Sequence, residues 1–139
     1  MTSKVTYLGN LRTSSEHIQS GVTILTDAPT DNQGQGAAFS PTDLVANALG
    51  ACIITIMAIK ARDMNVTIEG STAAVTKTML AEPRRIAKIE ISISMVGTFD
   101  QKTKTILERT AMTCPVHIDR KSTRLNSSHL DLSRMPSSA

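Results

Sequence analysis

Tryptophan is absent from this 139-residue chain, and Tyr7, Phe39 and Phe99 are its whole aromatic complement. Without aromatic platforms on which bases could stack, single-stranded nucleic acid is not an expected partner. Cysteine is nearly absent too. Cys52 and Cys114 are too few for a disulfide framework, and in a reducing compartment such a pair is more often redox, metal or plain core. No apolar run approaches the roughly 20 residues of a membrane helix, and the N-terminus MTSKVTYLGNLRT lacks the charged start and unbroken apolar stretch of a signal peptide. The expectation is a cytoplasmic protein with no membrane partner. No GxGxxG, Walker or HExxH pattern occurs, so no nucleotide cofactor is expected. Cys114-x-x-His117 has half of a zinc spacing, but no second Cys/His pair completes it, so no metal is expected either.

What is present fits a folded domain, since 40% of the residues are hydrophobic and only 19% charged. The net charge of +3 divides unevenly. Residues 119–139 hold four basic side chains against two acidic ones, whereas the first 118 residues hold eleven against ten. A nearly neutral body gives no reason to expect nucleic acid. The chain also changes character at Asp119. DRKSTRLNSSHLDLSRMPSSA contains six serines and no helical or strand periodicity, and reads as a disordered tail. DRKSTRLNSSH moreover resembles the in-frame translation of a common short-read sequencing adapter, and SRMPSSA its continuation. The expected organisation is a domain at 1–118 and a non-native tail at 119–139, which leaves His129 and the tail's basic residues without a role.

Within residues 1–118 the pattern is α+β. Val5–Leu8, Leu11–Thr13 and Val22–Thr26 read as three strands of an antiparallel meander, with turn chemistry at Gly9-Asn10 and at Gln19-Ser20-Gly21. Asp27–Ala38 reads as loop. Ser40 to about Asp63 is the clearest element, with Ser40 as N-cap, Pro41 at the first helical position and Asp43 completing a capping box. Its body is almost free of charge between Asp43 and Lys60, which predicts a long buried central helix. Val66–Met79 and Ile86–Val96 should form a hairpin around Ala81-Glu82-Pro83, with Ile89, Ile91, Ile93 and Met95 on one face. Asp100 can cap a second helix to about Met112, ended by Pro115. The order is β-β-β-α-β-β-α.

Two residues could carry chemistry. Cys52 lies mid-helix and fits a small core residue as well as a reactive thiol, which would need a nearby cation or polar pocket and partial access. Cys114 sits at a helix end before Pro115, close to polar groups. A bond between the two would need their Cα atoms within about 7 Å.

FSPTDLVANALGAC (Phe39–Cys52), followed later by CPVH (Cys114–His117), resembles the OsmC/Ohr family, thiol peroxidases of organic hydroperoxides. The resemblance extends over nearly all of residues 1–118. It implies an intertwined homodimer with long helices packed centrally and active sites at the interface. It also implies a final strand after the CPV motif, expected to be missing here because the tail begins at Asp119. In the implied mechanism Cys52 attacks a small hydrophobic peroxide and becomes a sulfenic acid, Cys114 closes a Cys52–Cys114 disulfide, and a dithiol reductant, for which the resemblance suggests a lipoyl-bearing protein, resets the pair. The family uses an arginine from the N-terminal strands, oriented by a carboxylate near the start of the cysteine helix. Arg12 is the only arginine in that region, though it also fits a solvated strand residue. Family peroxidases carry Glu ten residues before the first cysteine, where this chain has Thr42. The neighbouring Asp43 is the candidate carboxylate, and it also has the capping explanation. A non-enzymatic OsmC-like dimer that binds an apolar ligand or senses oxidants is the alternative.

Overall fold

The computed structural model describes residues 1–118, 123–127 and 130–134. Asp119, Arg120, Lys121 and His129 lie outside the described residues. The elements run β1 (Ser3–Gly9), β2 (Arg12–His17), β3 (Thr23–Asp27), a single 3-10 turn at Thr30–Asn32, α1 (Pro41–Asp63), β4 (Thr72–Leu80), β5 (Arg85–Ser94), α2 (Gln101–Ala111), α3 (Pro115–Ile118), β6 (Thr123–Ser127) and β7 (Leu130–Arg134). The chain is α+β as expected, with the first seven major elements in the expected order. It divides into two compact units, Met1–Val45 and Ala46–Ala139.

The first unit is built on the antiparallel sheet β1-β2-β3. Asn10 and Leu11, at φ 54° and 61°, make the tight β1–β2 turn. Positive φ at both central residues matches the right-handed twist of the flanking strands, although Leu is an unusual occupant of that region. β3 runs one residue past the expected strand, so Asp27 is the last residue of a ladder rather than the first of a loop. It pairs with Arg12 at the start of β2. The following loop folds back tightly enough that a Cβ on Gly34 would lie 1.7 Å from the Ala28 carbonyl oxygen, so only glycine fits there. The unit ends at the start of α1. There Ser40 Oγ accepts the Asp43 N–H at 3.0 Å and Asp43 Oδ2 accepts the Ser40 N–H at 3.0 Å, closing the expected capping box.

The second unit holds the core. Ala46, Leu49, Ile53, Met57 and Ala61 of α1 pack with Ile89, Ile91 and Ile93 of β5 and with Leu107 and Ala111 of α2. The period-two alternation of β5 is as expected. Gly50 brings α1 close to β4: a Cβ there would lie 2.7 Å from Val75 Cγ2. α2 is capped by Asp100, whose carboxylate accepts the Thr103 N–H at 2.8 Å. That bond, together with one from the Thr103 side chain, holds the Asp100 carboxyl below the usual range.

Four expectations are corrected. Val66–Ser71 is not strand. Asn65 takes the left-handed conformation (φ 58°), with Val66 N–H bonded to Ala61 O and Asn65 N–H to Arg62 O, a helix stop that turns the chain. A turn through Gly70 (φ 89°), closed by Ser71 N–H on Ile68 O, delays β4 to Thr72. Second, the tail is not without regular structure, and the second sheet does not stop at β5: its order is β4-β5-β7-β6, with Ile91 opposite Leu132. The free edge of β5 presents unpaired backbone groups, and the alternating LDLSR segment supplies the matching ladder. Third, α1 is long and apolar enough to cross a membrane by length and composition. Asn47 and Thr55 interrupt the apolar run in the sequence and hide that length. Fourth, α1 is covered on one face only. Leu49, Gly50, Ile53 and Met57 are buried, whereas Ala51, Thr55, Ala58 and Ile59 are exposed.

Candidate active site

The second unit brings the two cysteines together. Cys52 lies half-buried on α1 against the core, and Cys114 is fully buried at the break between α2 and α3. Local chemistry fixes that break. Thr113 N–H bonds to Thr110 O as α2 ends, and Pro115, which has no N–H to leave unsatisfied, opens α3. Both cysteines are free thiols, and Cys52 lies near enough to Cys114 to perturb its titration. Burial, reinforced by the neighbouring Cys52 thiol, pushes the Cys114 thiol up to about 11, although the backbone N–H groups of His117 and Val116 pull the other way. Cys114 therefore keeps its proton at neutral pH. His117 is buried beside this junction, and burial lowers its pKa, so its ring is neutral at pH 7. Among the described residues no group of three His, Cys, Asp or Glu side chains could hold a metal ion.

Within the first unit Arg12 belongs to a polar cluster. Its Nη2 donates to Gln35 Oε1 at 3.1 Å and lies 3.7 Å from Asp27 Oδ2. Asp27 is only 1% exposed. Its Oδ2 also accepts the Ala37 N–H at 3.0 Å, and its backbone N–H donates to Phe39 O at 3.1 Å. Asp27 Oδ1 is buried with no hydrogen-bond partner among the described residues. Asp43 is engaged in the helix cap, and the carboxylate beside Arg12 is Asp27, expected as the first residue of a loop. The signal that could have revealed Asp27 was the ladder pairing of Arg12 with the residue just after Thr26.

A cysteine on a long helix neighbouring a second at a Cys-Pro helix break, in an α+β chain, defines a two-cysteine protein. The chain belongs to the OsmC-like protein family, whose sequence profile matches residues 34–123. A solved structure from Psychrobacter arcticus 273-4, described as an osmotic stress induced and detoxification response protein, is 55% identical to it. The match covers 86% of this chain and 87% of that one, with a TM-score of 0.81. An OsmC-like protein from Vibrio cholerae shares the fold at 13% identity, with 86% and 92% of the two chains covered and a TM-score of 0.71. So does an organic hydroperoxide resistance protein OsmC from Legionella pneumophila, at 15% identity, 88% and 90% coverage and a TM-score of 0.60. No match was found among curated proteins.

Proposed function

We propose that this protein is a thiol peroxidase that reduces organic hydroperoxides. The observation that carries the reading is the half-buried Cys52 packed against the core cluster that holds the buried, proton-retaining Cys114. Family membership and the likeness to an organic hydroperoxide resistance protein from Legionella support the peroxide chemistry. The half-buried Cys52 is the attacking sulfur. As thiolate it displaces at the terminal oxygen of ROOH: an S–O bond forms, the O–O bond breaks, and the alkoxide leaves and takes up a proton as ROH. Cys114 then attacks the sulfenic sulfur, the S–S bond forms, the S–O bond breaks, and the hydroxide leaves with the Cys114 proton as water. A dithiol of the lipoyl class returns both sulfurs to thiols by exchange. The family resemblance assigns Arg12 as the cation of the reaction, and Asp43 fixes the start of the cysteine helix.

A homodimer belongs to this reading. The exposed face of α1 at Ala51, Thr55, Ala58 and Ile59, and the exposed Val5, Tyr7, Ile24 and Leu25 of the first sheet, are apolar surfaces for a second copy to cover. A second reading, an apolar ligand carrier or oxidant sensor, draws on a groove of about 770 Å³ lined in part by Ile54, Ala58, Val66 and Ile68.

Intact mass after one equivalent of cumene hydroperoxide, with hydrogen peroxide in parallel, tests the proposal. Peroxidase chemistry gives loss of two hydrogens within seconds, no change in Cys52→Ser, and a gain of one oxygen in Cys114→Ser. Absent or slow oxidation in a folded dimer would overturn it in favour of the carrier.

A further inference from the structure

A guanidinium on a strand is aimed only if something fixed holds it, because its long side chain otherwise moves freely in solvent. Arg12 is 43% exposed, yet its fork is tied at two points. Behind it stands Asp27, its partner in the β2–β3 ladder and one of the most deeply buried polar residues in the chain. A carboxylate taken out of water needs hydrogen bonds and a counter-charge. Ala37 supplies the hydrogen bond to Oδ2 and Arg12 the charge. Gln35, from the same loop as Ala37, accepts from the same Arg12 nitrogen. Strand, carboxylate, loop and guanidinium thus close on one another. The backbone repeats the tie, since Ala28 N–H donates to Leu11 O at 3.1 Å, one residue before Arg12. The unpartnered Oδ1 leaves Asp27 the capacity to accept a second guanidinium N–H.

We infer that Asp27 is the positioning carboxylate of Arg12, fixing the guanidinium and the 28–38 loop together, in a chain that carries Thr42 where family peroxidases have their carboxylate. The inference rests on the reading of Arg12 as the cation of the peroxidase reaction. Asp27 itself touches neither peroxide nor sulfur. It acts by restricting where the Arg12 charge points.

The test uses Asp27→Asn, whose side-chain oxygen can still accept the Ala37 N–H while the counter-charge is lost. Arg12 reactivity toward phenylglyoxal, read by peptide mapping, follows the guanidinium without reference to peroxide. With Arg12 released, its labelling should accelerate at least about fivefold, and kcat/KM for cumene hydroperoxide should fall about tenfold at unchanged oligomeric state. Arg12 labelling within about twofold of wild type would overturn the inference, and so would faster labelling with unchanged kcat/KM. Should Asp27→Asn not fold, Gln35→Ala decides. With Asp27 as the anchor, Arg12 labelling stays within about twofold of wild type, whereas release of Arg12 by this exposed substitution makes Gln35 the anchor and overturns the inference. Wild-type protein inert to peroxide would sink the functional reading alone, because the labelling arm still judges the Asp27–Arg12 tie.

Discussion

Cys114, buried at a helix break, has Cys52 as the neighbour that helps raise its pKa, although Cys52 stands 62 residues earlier in the middle of α1. The two sulfurs are unequal in a way that assigns an order of events. In the proposed peroxidase cycle the buried, proton-retaining Cys114 is poorly placed to meet a peroxide first and suits the closing step, because Cys52 is its neighbour.

That inequality has a pH signature. The folded state holds the Cys114 proton up to about 11, from an ordinary value of 9.0. The stabilisation is complete below about pH 9 and is lost as pH rises toward 11, because over that interval the unfolded chain releases a proton that the folded chain keeps. Unfolding free energies of wild type from urea titration should fall across this range by on the order of 2 kcal/mol more than those of Cys114→Ser. Parallel slopes would mean the thiol is not held as described.

His117 acts at the opposite end of the scale. Burial favours its neutral ring, so the unfolded state takes up a proton that the folded state resists once the pH drops below the ordinary value of 6.5. The melting temperature should decline below about pH 6.5 in wild type and decline less in His117→Gln. Equal acid sensitivity in the two proteins would count against this account.

The capping box at α1 predicts a local cost. Ser40 is buried and bonded to the Asp43 N–H. Ser40→Ala should lower stability by about 1 kcal/mol in urea titration. A change within about 0.3 kcal/mol would mean the cap is replaced by other contacts.

Ile91 has no exposed surface and sits at the centre of β5. Truncation to Ala should cost about 3 kcal/mol and lower the denaturation midpoint accordingly. A loss below about 1 kcal/mol would show that the site collapses around the cavity.

What the sequence discloses is local. The Ser40/Asp43 box, the Ile89-Ile91-Ile93 alternation and the Asp100 cap each lie within a few residues, and each appears where the pattern predicts it. Asp27 was illegible because its meaning depends on a ladder partner across the β2–β3 pair. Val66 and Ile68 looked like strand because their residue types are β-prone, and the stop at Asn65 overrode that preference. The hairpin of β6 and β7 rests on five-residue runs that only an available sheet edge makes into strands. The contact of the cysteines joins elements distant in the chain, and the residues themselves allowed an inert Cys52.

Gly50 deserves a different description from that of a small residue in a helix. Its hydrogen faces Val75, where a methyl group would meet Cγ2 at 2.7 Å. Two residues further along the same helix comes Cys52. The missing methyl thus works as a fulcrum, setting how closely this stretch of α1 rests on β4. Val75 is β-branched and stiff, so it cannot simply swing aside. A helix-to-sheet spacing tuned by side chains could drift by small substitutions, whereas one gauged against bare backbone tolerates a single residue at that point.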